Sequence, residues 1–174
     1  ARQTVDVGVA YAAFGGGEPM GCPWVYEIFD ILAAGGVEIK IETNGLPLDD
    51  EACDRLKALR VACVQVSVDG ASAAVHEVLR PGSGYKPAWD AIDRLVARGL
   101  EPELVFIPTR LNVQDTVSVY EQAAKRGGGQ VTISLQAEDP ENGLTLDPPS
   151  ALPTPDMNLM NAERAALLRQ ALDR

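Results

Sequence analysis

The chain has 174 residues, 46% of them hydrophobic and 23% charged, an ordinary make-up for a globular domain that argues against disorder of the whole. Its 25 acidic against 15 basic side chains leave a formal net charge of -10, which repels a phosphate backbone and speaks against nucleic acid as a partner. No apolar run approaches the ~20 residues needed to cross a bilayer, and the first residues lack the basic and apolar regions of a secretory signal, so no membrane partner is expected and the cytoplasm is the expected compartment.

In chain order, β-branched residues predict a first strand over residues 7–14, which hands over through Gly15-Gly16-Gly17-Glu18-Pro19 to a helix over residues 22–34. Gly35-Gly36 ends that helix, and a strand over residues 37–43 leads into Asn44-Gly45. A helix at residues 49–59 and a strand at 62–68 follow, the strand running into Asp69-Gly70. Next come His76-Glu77-Val78-Leu79-Arg80-Pro81-Gly82, a helix at 86–98, a strand at 103–107, and a helix at 113–126 closed by Gly127-Gly128-Gly129. A fifth strand is expected at residues 130–135. Pro148, Pro149, Pro153 and Pro155 make residues 147–155 an extended connection, and a last helix is expected at 161–173.

Strand and helix alternate throughout, which predicts βα units with parallel strands and right-handed crossovers, in a barrel or an open sheet. Parallel strands covered on both faces read as continuous apolar runs, yet three of these alternate. Val37, Ile39 and Ile41 oppose Glu38, Lys40 and Glu42; Val64, Val66 and Val68 oppose Gln65 and Ser67; Val131, Ile133 and Leu135 oppose Gln130, Thr132, Ser134 and Gln136. With helices on the apolar face, the polar face must line a wet cavity, because buried polar groups without partners cost about 1 to 3 kcal/mol each. An antiparallel sheet with one solvated face gives the same alternation, but helix-length segments between the strands count against it.

Ligands of α/β folds gather at the carboxyl ends of the strands. The three glycines let the backbone approach an amino-acid moiety closely, with Glu18 suited to its ammonium group. Singly, each strand-end motif is a common turn; the order GGEP, TNG, SxDG, about one βα unit apart, is what is specific. In that order Gly15 to Pro19, Thr43-Asn44-Gly45 and Ser67-Val68-Asp69-Gly70 resemble the radical S-adenosylmethionine superfamily, over about residues 5–143, most of the chain. The resemblance implies a partial (β/α)6 TIM-like barrel over residues 1–143, with about five βα units present, followed by the proline-rich connection and helix at 144–174.

The resemblance also implies a cofactor site. Gly16, Gly17 and Glu18 would hold the methionine amino group, Thr43 or Asn44 would lie beside the cofactor, Ser67 would reach its ribose or carboxylate, and Asp69 completes the third motif. Arg80 falls where relatives place an arginine near the cofactor carboxylate. His76, the only histidine, has no matching nucleophile and is better read as structural than as an acid or base. By the same resemblance, S-adenosylmethionine is reductively cleaved to a 5'-deoxyadenosyl radical that abstracts hydrogen from a peptide or small-molecule substrate, with a one-electron reductant as partner. A barrel module that binds S-adenosylmethionine or an amino acid without redox turnover is the alternative.

Such chemistry draws its electron from a 4Fe-4S cluster on three cysteines spaced CxxxCxxC ahead of the GGEP strand. Cys22, Cys53 and Cys63, odd in number and widely spaced, match neither that triplet nor a disulfide framework or a zinc site, and read as reduced, structural or incidental thiols. The cluster ligands are therefore expected upstream of Ala1, on a first βα unit whose absence would leave the opening strand with an unpaired edge and the chain by itself inactive.

Overall fold

A computed structural model describes residues 1–127, 132–135, 137–138 and 145–146. Strands Tyr11–Phe14 (β1), Glu38–Thr43 (β2), Cys63–Ser67 (β3), Glu103–Phe106 (β4) and Thr132–Leu135 (β5) form one sheet in that order. Every pair is parallel, from Tyr11 opposite Glu38 to Phe106 opposite Leu135, so the antiparallel alternative fails. A parallel strand needs a crossover, and helices Val25–Ala34 (α2), Asp50–Ala58 (α3) and Tyr85–Ala97 (α5) supply the first three. Thr116–Gly127 (α6) supplies the last.

The fold departs from expectation in four places. The first strand starts at Tyr11 rather than Val7, because a short helix, Arg2–Asp6 (α1), precedes it and the chain turns through Gly8. The second helix starts at Val25; a 3-10 turn, Pro19–Gly21, carries the chain there from Glu18, whose side chain caps it. Residues 113–115 likewise form a 3-10 turn before α6. Ala73–Leu79 (α4) is a separate helix between β3 and α5. The expected proline connection and last helix lie outside the described residues. The fifth strand is seen over Thr132–Leu135, and Ala137–Glu138 (β6) pairs antiparallel with Thr145–Leu146 (β7).

Strand alternation decides which face is dry. Ile39, Ile41, Val64, Val66, Val68, Leu104 and Phe106 are buried against Phe29 and Leu32 of α2, Cys53 and Leu56 of α3, and Trp89, Ile92 and Leu95 of α5. Each such side chain contributes about 1.5 to 3 kcal/mol on leaving water. The other face carries Lys40 and Glu42 on β2, Cys63, Gln65 and Ser67 on β3, and Glu103 on β4. Register aligns Glu42, Gln65 and Glu103 in one row across three strands. That face forms the inner wall of a partial barrel.

No helix among the described residues is long and apolar enough to cross a membrane.

Candidate functional site

At the carboxyl ends of the strands lies a cleft of about 530 Å³. Gly16 and Gly17 come to it from the loop after β1, Glu42, Thr43 and Asn44 from the end of β2, and Gln65 and Ser67 from β3. Val105 and Ile107 reach it from β4, and residues 79–83, Arg80 and Ser83 among them, close one side. Six of the eight residues singled out from the sequence thus share one cavity. Glu18 and Asp69 stand behind its walls.

Glu18 ties two of the motifs together. Its Oε1 accepts from the Met20 N–H at 3.1 Å and from the Thr43 hydroxyl at 2.9 Å, while Oε2 accepts from the Asn44 N–H at 2.8 Å. Two carboxylate oxygens offer about four lone-pair sites, so one, on Oε2, is left for a ligand. The Thr43 hydroxyl also accepts from the Gly45 N–H at 3.1 Å. Gly45 itself sits at φ +83°, and a Cβ there would lie 2.9 Å from the Ala88 Cα, so only glycine lets α5 pack this close to the loop. Gly16 is the one glycine of the triplet at positive φ, +78°, with open space around it.

Asp69 is the junction of the opposite wall. Its carboxylate accepts from Arg80 Nε and from the Ile107 N–H at 2.8 Å, and its carbonyl accepts from Asn112 Nδ2 at 3.0 Å. The side chain is 7% exposed, so Asp69 acts on the cleft through Arg80. With Nε engaged, both terminal nitrogens of the guanidinium are without a hydrogen-bond partner among the described residues, a fork suited to a carboxylate. His76 is fully buried beneath the same wall, and burial pushes its pKa below the ordinary histidine value, against the pull of the Asp69 carboxylate.

Deeper in the barrel, Gln65 Nε2 donates to Glu103 Oε2, with Lys40 Nζ 3.8 Å from the same oxygen. Gln65 is buried, and its Oε1 has no partner among the described residues. The polar alternation of β3 pointed to this residue; the pairing with Glu103 rests on register, which the sequence does not display. Ser83 was missed as part of the wall, since no motif marks it; His76, read as structural, is buried behind it.

The cleft fits an amino-acid ligand: a lone-pair site on Glu18, glycine backbone beside it, and the free end of the Arg80 guanidinium. It does not supply an iron–sulfur cluster. Cys22 follows the 3-10 turn, Cys53 lies in α3 and Cys63 opens β3, and among the described residues no three side chains are grouped to hold a metal. Burial, aided for Cys63 by the Glu103 carboxylate, pushes the Cys53 and Cys63 thiols up to about 11.

Fold and cleft together define a parallel α/β partial barrel with a polar ligand site at its strand ends. Residues 1–121 match the model of the Radical SAM superfamily, and the chain belongs to that family. It is 33% identical over 127 residues to mycofactocin maturase MftC of Mycobacterium tuberculosis, covering 72% of this chain and 32% of that protein. It is 27% identical over 134 residues to the PqqA peptide cyclase of Gluconobacter oxydans, covering 76% and 37%. Streptococcus suis SuiB bound to S-adenosylmethionine superposes with a TM-score of 0.68 at 14% identity, covering 79% of this chain and 32% of that one. The chain thus spans about a third of the length of the curated relatives it matches.

Proposed function

We propose that the protein of which this barrel is part is a radical S-adenosylmethionine enzyme that modifies a peptide or a cofactor precursor. The observation that carries this reading is the convergence of Gly16 and Gly17, Thr43 and Asn44, Ser67 and Arg80 on one cleft, in a chain of this family. Family membership favours the enzyme over a binding module without turnover, and the names of the mycofactocin maturase and the PqqA cyclase support the substrate class by analogy.

When bound, S-adenosylmethionine supplies, on receiving one electron, a 5'-deoxyadenosyl radical that removes a hydrogen atom from substrate. The residues of this chain bind and orient. Glu18 Oε2, with the backbone of Gly16 and Gly17, receives the ammonium group; Arg80 pairs with the carboxylate; Ser67 and Asn44 face the nucleoside. Asp69 holds Arg80 in place, and Glu42 and Gln65 floor the cavity that substrate enters, with Glu103 behind Gln65. A 4Fe-4S cluster, which Cys22, Cys53 and Cys63 do not hold, would supply that electron from a one-electron reductant. A reducing, cytoplasmic setting suits such a protein.

The test is anaerobic reconstitution of the full-length protein with iron and sulfide, followed by assay for 5'-deoxyadenosine with dithionite as reductant. Formation of 5'-deoxyadenosine that Glu18→Lys abolishes is expected. A reconstituted protein that neither retains S-adenosylmethionine nor yields 5'-deoxyadenosine refutes the reading.

A further inference from the structure

The buried histidine and a serine of the cleft wall form a pair whose hydrogen-bond directions can be worked out. His76 Nδ1 accepts from the Asp69 N–H at 3.1 Å, and Nε2 lies 3.0 Å from Ser83 Oγ. A backbone N–H can only donate, so Nδ1 carries no proton. The neutral ring must then carry its proton on Nε2 and donate it to Ser83 Oγ. The other tautomer would set two donors against each other at Asp69. Ser83 therefore spends a lone pair on His76 and keeps its own hydroxyl proton, for which no acceptor exists among the described residues. Ser83 is 8% exposed, and it lines the cleft together with Arg80.

We propose that Ser83 is a ligand-binding residue that donates its hydroxyl proton to the carboxylate held at Arg80, and that neutral His76 is the positioning residue that fixes the direction of that donation. The inference rests on the cofactor reading above for the source of the carboxylate, the methionine end of S-adenosylmethionine. Geometry keeps the pair aligned: the Ser83 N–H donates to the Arg80 carbonyl at 3.1 Å, and the Arg80 N–H donates to the His76 carbonyl at 2.8 Å. Tyr85 packs edge-on against the imidazole, centroids 5.9 Å apart, with its hydroxyl on the Ala71 carbonyl. These contacts tie ring, serine and arginine together, so that the hydroxyl is oriented before a ligand arrives.

The experiment measures S-adenosylmethionine affinity of the full-length, cluster-loaded protein by anaerobic titration calorimetry, with melting temperature as the control for folding. Ser83→Ala should weaken binding roughly tenfold, the share of one charge-assisted hydrogen bond, and Ser83→Thr should restore it. His76→Asn keeps an acceptor for Asp69 but loses the donor to Ser83, and should lose comparable affinity. His76→Gln, whose amide nitrogen can stand in for Nε2, should recover it. The double variant Ser83→Ala/His76→Asn should bind no worse than the weaker single variant, because both remove one interaction.

Unchanged affinity in Ser83→Ala overturns the proposal, as do fully additive losses. If His76→Asn does not fold, the Ser83 pair alone decides. Should the wild-type protein fail to bind S-adenosylmethionine, the cofactor reading falls. L-methionine then serves as the carboxylate probe, and equal binding by wild type and Ser83→Ala overturns this inference separately.

Discussion

Glu18 and Thr43, 25 residues apart, are joined by a 2.9 Å hydrogen bond from the threonine hydroxyl to Glu18 Oε1. Through it the loop after β1 and the end of β2 become one rigid corner, on which the shape of the cleft depends. Thr43→Val keeps the shape of the side chain but removes both this bond and the one from Gly45. It should destabilise by about 1 to 3 kcal/mol, and a cycle with Glu18→Gln should show coupling of about 0.5 to 3 kcal/mol. Urea unfolding of the four proteins measures it; additive effects would show that the corner is not a unit.

Gly45 is expected to tolerate no side chain. Gly45→Ala meets a positive φ and a backbone atom of α5 at once, so its cost should exceed the ~1 kcal/mol of a left-handed alanine alone, with α5 displaced. Gly16→Ala, at a similar φ in open space, should cost only that smaller amount. The difference between their urea midpoints is the measurement.

The thiols should differ in reactivity from exposed cysteine. With pKa values pushed from 9.0 to about 11, Cys53 and Cys63 should alkylate roughly 100-fold more slowly than an unperturbed thiol at pH 8. Iodoacetamide labelling followed by peptide mass spectrometry reads both sites. Mutating Glu103 to Gln should speed labelling of Cys63 and leave Cys53 unaffected.

Acid should weaken the fold through His76. Its pKa in the fold lies below 6.5, the value of the free side chain. Between those two values the unfolded chain binds a proton that the folded chain does not, so stability falls as pH drops through 6.5 and the contribution is complete above it. Denaturant midpoints between pH 7.5 and pH 5 should therefore decline more steeply for the wild type than for His76→Gln. Parallel declines would show that the imidazole does not titrate differently in the two states.

Much of this was legible in the residues. Alternation in Val64-Gln65-Val66-Ser67 gave both the strand and the polar cavity face, because period two is a local property of extended chain. The order of the three strand-end motifs located five residues of the cleft, and the family resemblance added Arg80. What escaped was set by distance in sequence. Glu18 read only as the partner of an ammonium group, whereas three donors, from Met20, Thr43 and Asn44, occupy most of its carboxylate. Asp69 read as part of the binding motif, whereas its bonds to Arg80, Ile107 and Asn112 put it behind the wall. The start of β1 was drawn four residues early because Val7 and Val9 match strand composition, and only the packing of α1 against α2 shows that they precede it.

The two-residue repeat of the inner strands has an evolutionary corollary. On β3, Val64 and Val66 answer to the helices, Gln65 and Ser67 to whatever occupies the barrel. A lineage could therefore exchange every second residue of β2, β3 and β4 and acquire a new substrate while leaving its melting point nearly where it was.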